Sequence, residues 1–384
     1  MIDWAVPLTD VKVSEEDVAA VLDCLQSGWL TMGPRTADFE QAFAAYAGTR
    51  HAVAVSSGTA ALHLAAIAAG LGPGDEMIVP GLTFVASASA ARFVAAEPVL
   101  CDIVGPQDLN LDPADVEARI TPRTRAVMAV HFCGYPADLT SLSELCQAHG
   151  LTLIEDCAQA VGATVNGGGT PVGSVGAMGC FSLFSKKQLC VGEGGVVTTD
   201  DDELAARVRS LRSHAMTSVT WDRHRGHADT YDIIDIGFNY RIDEPRAALA
   251  RNRLDRLDED LARRRASVRV YRERLAGLPD IEVPWSDEQV DRSTHFAFPV
   301  LLPDRPARDA FRSALSAQGV QTTWYPALHR FSDYEQRDPS LVLPRVEDAA
   351  ERHCALPLSS SLTAEQIDVV MAAVESALAG SPSA

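Results

Sequence analysis

The chain is short of several things, and each shortage removes a class of function. No run of about eighteen apolar residues is free of charge, so no membrane-spanning helix is expected. The opening stretch "MIDWAVPLTDVKVSEED" lacks the basic, then apolar, then small-residue order of a secretory signal, and the expectation is a cytoplasmic protein. Basic residues are outnumbered, 33 Lys and Arg against 52 Asp and Glu, and the formal charge of −19 repels a polyanion over most of the surface. Nucleic acid is therefore not an expected partner, although a locally basic pocket could take a small anion. The eight cysteines (Cys24, Cys101, Cys133, Cys146, Cys157, Cys180, Cys190 and Cys354) form no CxxC pair and have no histidine-rich neighbourhood. That argues against a disulfide framework or a zinc site, no metal is expected, and most of them read as small buried apolar residues.

What is present is enough to bury one large core or two smaller ones: 47% of the 384 residues are hydrophobic, with glycine and proline spread throughout. From residue 51 short β-branched runs alternate with alanine-rich stretches. "HAVAVSS", "EMIVPG", "PVLCDI", "RAVMAVHF" and "LTLIEDCAQ" read as strands, separated by the helical "TAALHLAAIAAG", "VASASAARFVAAE", "DPADVEARI" and "LTSLSELCQAHG". "AMGCFSLF" and "GGVVTTD" add two strands with no obvious helix between them. This is an α/β rhythm: a mostly parallel sheet of about seven strands, part of it antiparallel, with ligands expected where strand ends turn into helices.

Amphipathic helices over 13–48 precede the first strand. The stretch 214–236 is a long loop without periodicity, which in a compact domain is usually functional or interfacial. Asp243 to about Leu278 reads as one long helix, N-capped by Asp243. Beyond it "THFAFPVLLP" and "VQTTWYPAL" look like strands, and a capping box from Thr363 to Gln366 opens the last helix. The expected domains are a large one over 13–245 and a second part over 246–384, made of the linking helix and a smaller α/β domain.

Three features carry chemistry. In "VSSGTAAL" a strand ends at Ser56 and Ser57, Gly58 allows a close turn, and Thr59 opens a helix whose free amides suit a phosphate. In "LIEDCAQAVGA" Glu155 and Asp156 end a buried strand, and a buried carboxylate calls for a cationic partner such as a protonated ring nitrogen. In "FSLFSKKQLCVGEGG" two lysines, Lys186 and Lys187, stand 30 and 31 residues beyond Asp156. Taken singly, the first is also an ordinary strand-to-helix turn and the second a carboxylate capping the next turn. Taken together, a phosphate corner, an acid for a pyridinium and an amine able to form an imine describe pyridoxal phosphate held as a Schiff base.

From about Gly33 to Leu261 the motifs "FEQAFAAYAGTRHAVAVSSGTAALHLAA", "GPGDEMIVPGLTFVA", "AVHFCGYPADL", "IEDCAQAVGA", "GEGGVVTTDD" and "GFNYRIDEPRAAL" resemble the DegT/DnrJ/EryC1/StrS family of pyridoxal-phosphate aminotransferases. The resemblance implies an aspartate-aminotransferase-like fold type I, with a large seven-stranded domain and a smaller C-terminal α/β domain. It implies that Lys187 forms the imine while Lys186 falls at a variable position, with Leu183 and Gln188 as mild departures from the family's Phe and Asn. It also implies that Asp156 pairs with the ring nitrogen, that Ser57, Gly58, Thr59 and Ser182 bind the phosphate, that Gln159 bonds the ring hydroxyl and that Phe84 stacks on the ring. Asn239 resembles a residue that reaches the cofactor of a neighbouring subunit, implying a homodimer with shared active sites. His329, Arg241 and Tyr325 are candidate substrate contacts.

The implied reaction passes an amino group through pyridoxamine phosphate from an amino acid, glutamate or glutamine, to a nucleoside-diphosphate keto-sugar, with the 4-keto-6-deoxyhexose branch favoured by "GEGG". A 3-keto sugar or a keto-cyclitol of the scyllo-inosose type is the enzyme alternative. A dehydrating relative carries histidine in place of Lys187, and a regulatory module that has lost turnover is the non-enzyme alternative. Other residues read as structural: His63 in the helix after the corner, His131 after a buried strand, and the arginines of "LARRRASVR" as a solvated helix face. His214, Arg223, His224, Arg225 and His227 in the long loop could meet a diphosphate or simply form a solvated or subunit-contact face.

Overall fold

The computed structural model describes residues 4–218, 220–226 and 229–379. All seven expected strands form, as β1 (His51–Val55), β2 (Glu76–Pro80), β3 (Glu97–Cys101), β4 (Thr124–Val130), β5 (Thr152–Asp156), β6 (Met178–Ser182) and β7 (Gly195–Thr199). They lie in the order β1-β7-β6-β5-β4-β2-β3. Every pairing is parallel except those of β7, which runs antiparallel to both β1 and β6. The reversal follows from the missing crossover helix: β6 returns into β7 through the loop that carries Lys187, and a chain that turns straight back pairs antiparallel.

Helices cover both faces, so both faces of each strand are apolar. Val53, Val55, Met128 and Val130 enter one core, and Ala52, Ala54, Val127 and Ala129 the other. Helices α1 (Glu15–Ser27) and α2 (Pro34–Ala47) precede the sheet, while α3 (Gly58–Ala68) and α4 (Val85–Phe93) follow β1 and β2. The first core contains the buried faces of α3 and α4, and Phe39 and Phe43 of α2 fill the second.

The stretch after Asp243 differs from its expected form. Asp243 caps it as anticipated, accepting from the Arg246 amide at 3.0 Å. The helix then breaks into α5 (Glu244–Leu254) and α6 (Leu257–Leu275). At the break Asp17 of α1, almost wholly buried, accepts from Arg253, Arg256 and Asn252. A buried carboxylate requires such partners, and residues 252, 253 and 256, three and four positions apart, share the helix face that meets it. Nor is "LARRRASVR" entirely a solvated face: Arg264 is buried and donates to the carbonyls of His295 and Leu358 at 3.2 and 3.4 Å.

In the C-terminal part β8 (Phe298–Leu301) pairs antiparallel with β9 (His353–Leu356). "VQTTWYPAL" does not make a strand. Its residues form isolated bridges to two different neighbours, Val320 to Val6 and Thr323 to Ala355, and the Tyr325 amide donates to the His353 imidazole instead of to a ladder. The capping box at Thr363 and Gln366 is present in both directions. Among the described residues no helix is long and apolar enough to cross a membrane.

Candidate active site

The carboxyl ends of β1, β2, β5 and β6 open on one cavity of about 440 Å³, closed on its far side by the C-terminal part. Ser57 ends the β1 turn extended and N-caps α3, its Oγ accepting from the Ala60 amide at 3.1 Å. Among the described residues the amides of Gly58 and Thr59 have no acceptor, as expected of a helix's first turn. Glycine at position 58 has a steric cause: a Cβ there would lie 2.8 Å from Cβ of Ser182 at the end of β6. Gly195 is forced in the same way, because a Cβ on it would enter the Ser57 backbone. The strand order thus presses Ser57, Gly58 and Ser182 together into a shallow cradle of donors, walled by Thr59.

Asp156 and Glu155 part company because side chains alternate along a strand. Asp156 faces the cavity, held by the Ser87 hydroxyl at 2.7 Å on Oδ2 and by the Ala158 amide at 3.1 Å on Oδ1. Glu155 accepts the Gly173, Val175 and Gly176 amides and so anchors a turn on the opposite side. His131 belongs with Glu155, 3.2 Å from it through Nε2, while its Nδ1 accepts from the Ala137 amide. Ligand-type atoms of His131, Glu155 and Cys157 lie within 4.8 Å of one another. The histidine and the glutamate are fully engaged by the hydrogen bonds just given.

Gln159 is oriented by its backbone surroundings: Oε1 accepts from the Cys133 amide at 2.7 Å, which leaves Nε2 as a donor at the cavity. Phe84 lines the cavity with 68% of its surface exposed, a ring held open to a planar partner. Lys187 stands on the turn after β6, its amide bonded to the Phe184 carbonyl at 2.8 Å and its Nζ 4.2 Å from the centre of the Phe296 ring. Burial pushes its amine down to about 8, against the opposing pull of Asp156. An amine with that value is neutral, and hence nucleophilic, in a useful fraction near physiological pH.

Ser57, Gly58, Thr59, Phe84, Asp156, Gln159, Ser182, Lys187 and Tyr325 therefore meet around one space. Three other candidates do not reach it within this chain. Asn239 is exposed and bridges to Ser213, and Arg241 donates to the Ser213 hydroxyl at 3.2 Å. His329 is buried with Nε2 2.9 Å from Glu347. His63, on α3, packs against Phe93 and Phe238 and meets the Tyr240 hydroxyl at 3.1 Å. His214, Arg223, His224 and Arg225 also lie away from the cavity, and His227 lies outside the described residues.

The structure adds residues that sequence reasoning missed. Ser87 follows Thr83 by four positions, and the two hydroxyls stand 3.0 Å apart beside Asp156. That spacing at a helix start was a usable signal. Gln188 donates to the Gln159 carbonyl at 2.7 Å and to the Thr294 hydroxyl at 3.0 Å, tying the lysine turn to both walls. Leu8, Phe296, Ala297, Leu356 and Leu358 supply an apolar wall from both ends of the chain, with Thr9 beside them, and no local pattern marks them.

The donor cradle, the cavity-facing Asp156 and Gln159, the open face of Phe84 and the depressed amine of Lys187 fit pyridoxal phosphate. Comparison with known proteins agrees. DesV of S. venezuelae, solved in complex with a ketimine intermediate, is 38% identical with a TM-score of 0.88, covering 97% of this chain and 98% of its own. The aminotransferase TlmJ from Streptoalloteichus hindustanus is 34% identical with a TM-score of 0.88, covering 98% and 99%. The pyridoxal phosphate form of the putative sugar aminotransferase Spr1654 from Streptococcus pneumoniae is 25% identical with a TM-score of 0.88, covering 98% of each chain. The profile of the DegT/DnrJ/EryC1/StrS aminotransferase family matches residues 11–375, and the chain belongs to that family, whose cofactor is pyridoxal 5'-phosphate.

Proposed function

We propose that this aminotransferase moves an amino group from glutamate, or glutamine, to a nucleoside-diphosphate keto-sugar, with a 4-keto-6-deoxyhexose as the acceptor. The observation that carries the reading is the convergence of Lys187, Asp156 and the phosphate cradle on one cavity whose far wall is apolar. A sugar acceptor is supported by the likeness to Spr1654. The wall of Phe296, Ala297, Leu356 and Leu358 suits a sugar that has lost a hydroxyl, because a buried hydroxyl without a partner is costly.

Bound pyridoxal phosphate supplies an exchangeable carbonyl and an electron sink. The chain supplies the rest. Ser57, Gly58, Thr59 and Ser182 would hold the phosphate, Phe84 the ring face and Gln159 Nε2 the ring hydroxyl. Asp156, oriented by the Ser87 and Ala158 donors, would pair with the ring nitrogen and hold a proton there. Lys187 Nζ would take the proton from the donor's α-carbon and deliver it back on the side it faces.

A homodimer belongs to the proposal. Asn239 and Arg241 stand clear of this chain's cavity, and the same loop exposes Tyr231, Ile233, Ile234 and Ile236, an apolar run that a second copy would cover. A cytoplasmic setting is supported by eight free, buried cysteines. The test is a panel of nucleotide amino-sugars incubated with 2-oxoglutarate and the purified holoenzyme, read as glutamate formed. Turnover with a nucleotide amino-sugar is expected. Turnover with amino-cyclitols alone would replace the acceptor, and a yellow protein that no amino acid bleaches would overturn transamination itself.

A further inference from the structure

Every substrate of the proposed reaction carries a carboxylate or a diphosphate, yet the protein has a net charge of −19. Among the described residues the cavity has four charged lining residues: Asp156, Lys187, Lys186 and Glu193. Asp156 and Lys187 are committed to the cofactor in the reading above. That leaves Lys186 and Glu193, which sit on the two limbs of one hairpin. Phe184 bridges to Gly192, the Ser185 amide donates to the Gly192 carbonyl at 3.0 Å, and the Lys187 amide closes the turn on Phe184. The hairpin holds Lys186 and Glu193 at the cavity mouth. Among the described residues neither side chain has an ion-pair or hydrogen-bond partner; Glu193 is engaged only through its carbonyl, which accepts from Arg246.

We propose that Lys186 is a specificity-determining residue that binds the anionic group of the substrate at the cavity mouth, an inference that rests on the transaminase reading. An incoming carboxylate or diphosphate meets Glu193 as a like charge, and the Lys186 ammonium offsets that repulsion and supplies a charge-assisted donor. The donor carboxylate is one bond from the carbon whose proton Lys187 moves, and the acceptor's diphosphate lies one sugar further out. Both ligands occupy the cavity in turn, so one ammonium beside Lys187 can serve either.

The experiment uses holoenzyme of wild type, Lys186→Ala, Lys186→Arg and Glu193→Gln. Each is measured in the two half-reactions separately and titrated with succinate and with inorganic pyrophosphate as unreactive probes, following the cofactor's visible spectrum. Lys186→Ala is expected to raise KM or Kd about tenfold with kcat little changed, Lys186→Arg to restore binding, and Glu193→Gln to tighten it. The increase should shrink at high salt. Weakening confined to the amino donor and succinate assigns the donor carboxylate, confined to the acceptor and pyrophosphate the diphosphate, and in both a shared subsite. KM and Kd within twofold of wild type in every arm would overturn the proposal. Borohydride labelling of Lys187 in each variant separates this from a lost cofactor, and a wild type inactive in both half-reactions refutes the underlying function instead.

Discussion

Replacing Lys187 with methionine should make the cofactor-free protein more stable at neutral pH, although it abolishes turnover. Burial lowers the Lys187 amine from an ordinary 10.5 to about 8. At about 1.4 kcal/mol per pH unit, this is a penalty of about 3 kcal/mol for keeping the amine charged in the fold. Between pH 8 and 10.5 the unfolded chain holds a proton on this amine that the folded chain has released, so wild-type stability rises with pH across that window. Below about 8 both states are protonated and the whole penalty applies. Methionine keeps the volume and removes the charge. It also gives up the contact of Nζ with the Phe296 ring, worth about 0.5–1 kcal/mol, so the net gain at pH 7 is about 2 kcal/mol. The assay is urea unfolding of both proteins without cofactor, at one protein concentration and at pH 7, 8, 9 and 10, followed by tryptophan fluorescence. The gap between variant and wild type should close as pH rises. A gap that is constant over this range, or a wild type that is the more stable at pH 7, would refute the claim that a buried charge is what depresses this amine.

Three other perturbations reach different parts of the argument. Gly58→Ala sets a methyl 2.8 Å from Ser182 Cβ, so it should cost about 1–3 kcal/mol in thermal unfolding and weaken pyridoxal phosphate about tenfold; unchanged affinity by fluorescence titration would show that the cradle does not hold the phosphate. Asp156→Asn should leave the cofactor bound and slow the donor half-reaction at least about a hundredfold, while Ser87→Ala, which removes one donor at 2.7 Å, should slow it by about tenfold; stopped-flow spectra decide both. Asp17→Asn should cost about 3 kcal/mol at pH 7. Because Arg253 and Arg256 hold the Asp17 carboxyl at about 2 against an ordinary 3.8, its stabilisation is complete above 3.8 and fades as pH falls through 2, so the two unfolding curves should converge in acid.

The strands were legible because each carries its own evidence. His51–Val55 and Thr124–Val130 are apolar on both faces, which only a sheet covered on both sides can bury, and the turn residues between them are local as well. The break in the helix after Asp243 was not legible, since no glycine or proline marks residues 254–257, and the Asp17 carboxylate that meets Arg253 and Arg256 there stands more than two hundred residues earlier. The same holds for "VQTTWYPAL", whose apolar pattern suits a strand but whose bridging partners, Val6 and Ala355, each take a single residue.

In the candidate site the sequence by itself determined the chemical inventory: an amine at 187, a carboxylate at 156, a glycine corner at 58 and the strand ends on which they ride. These are properties of residue type and of period, and the chain states them locally. Only the tertiary structure decided which groups share one space. It put Asp156 inside and Glu155 outside, brought Phe296, Leu8 and Leu358 from opposite ends of the chain to the far wall, and left Asn239, Arg241 and His329 away from it. The reason is physical: strand pairing and core packing sum contacts between residues far apart in the chain, and a side chain's environment, hence its burial, partners and acidity, is set by that sum.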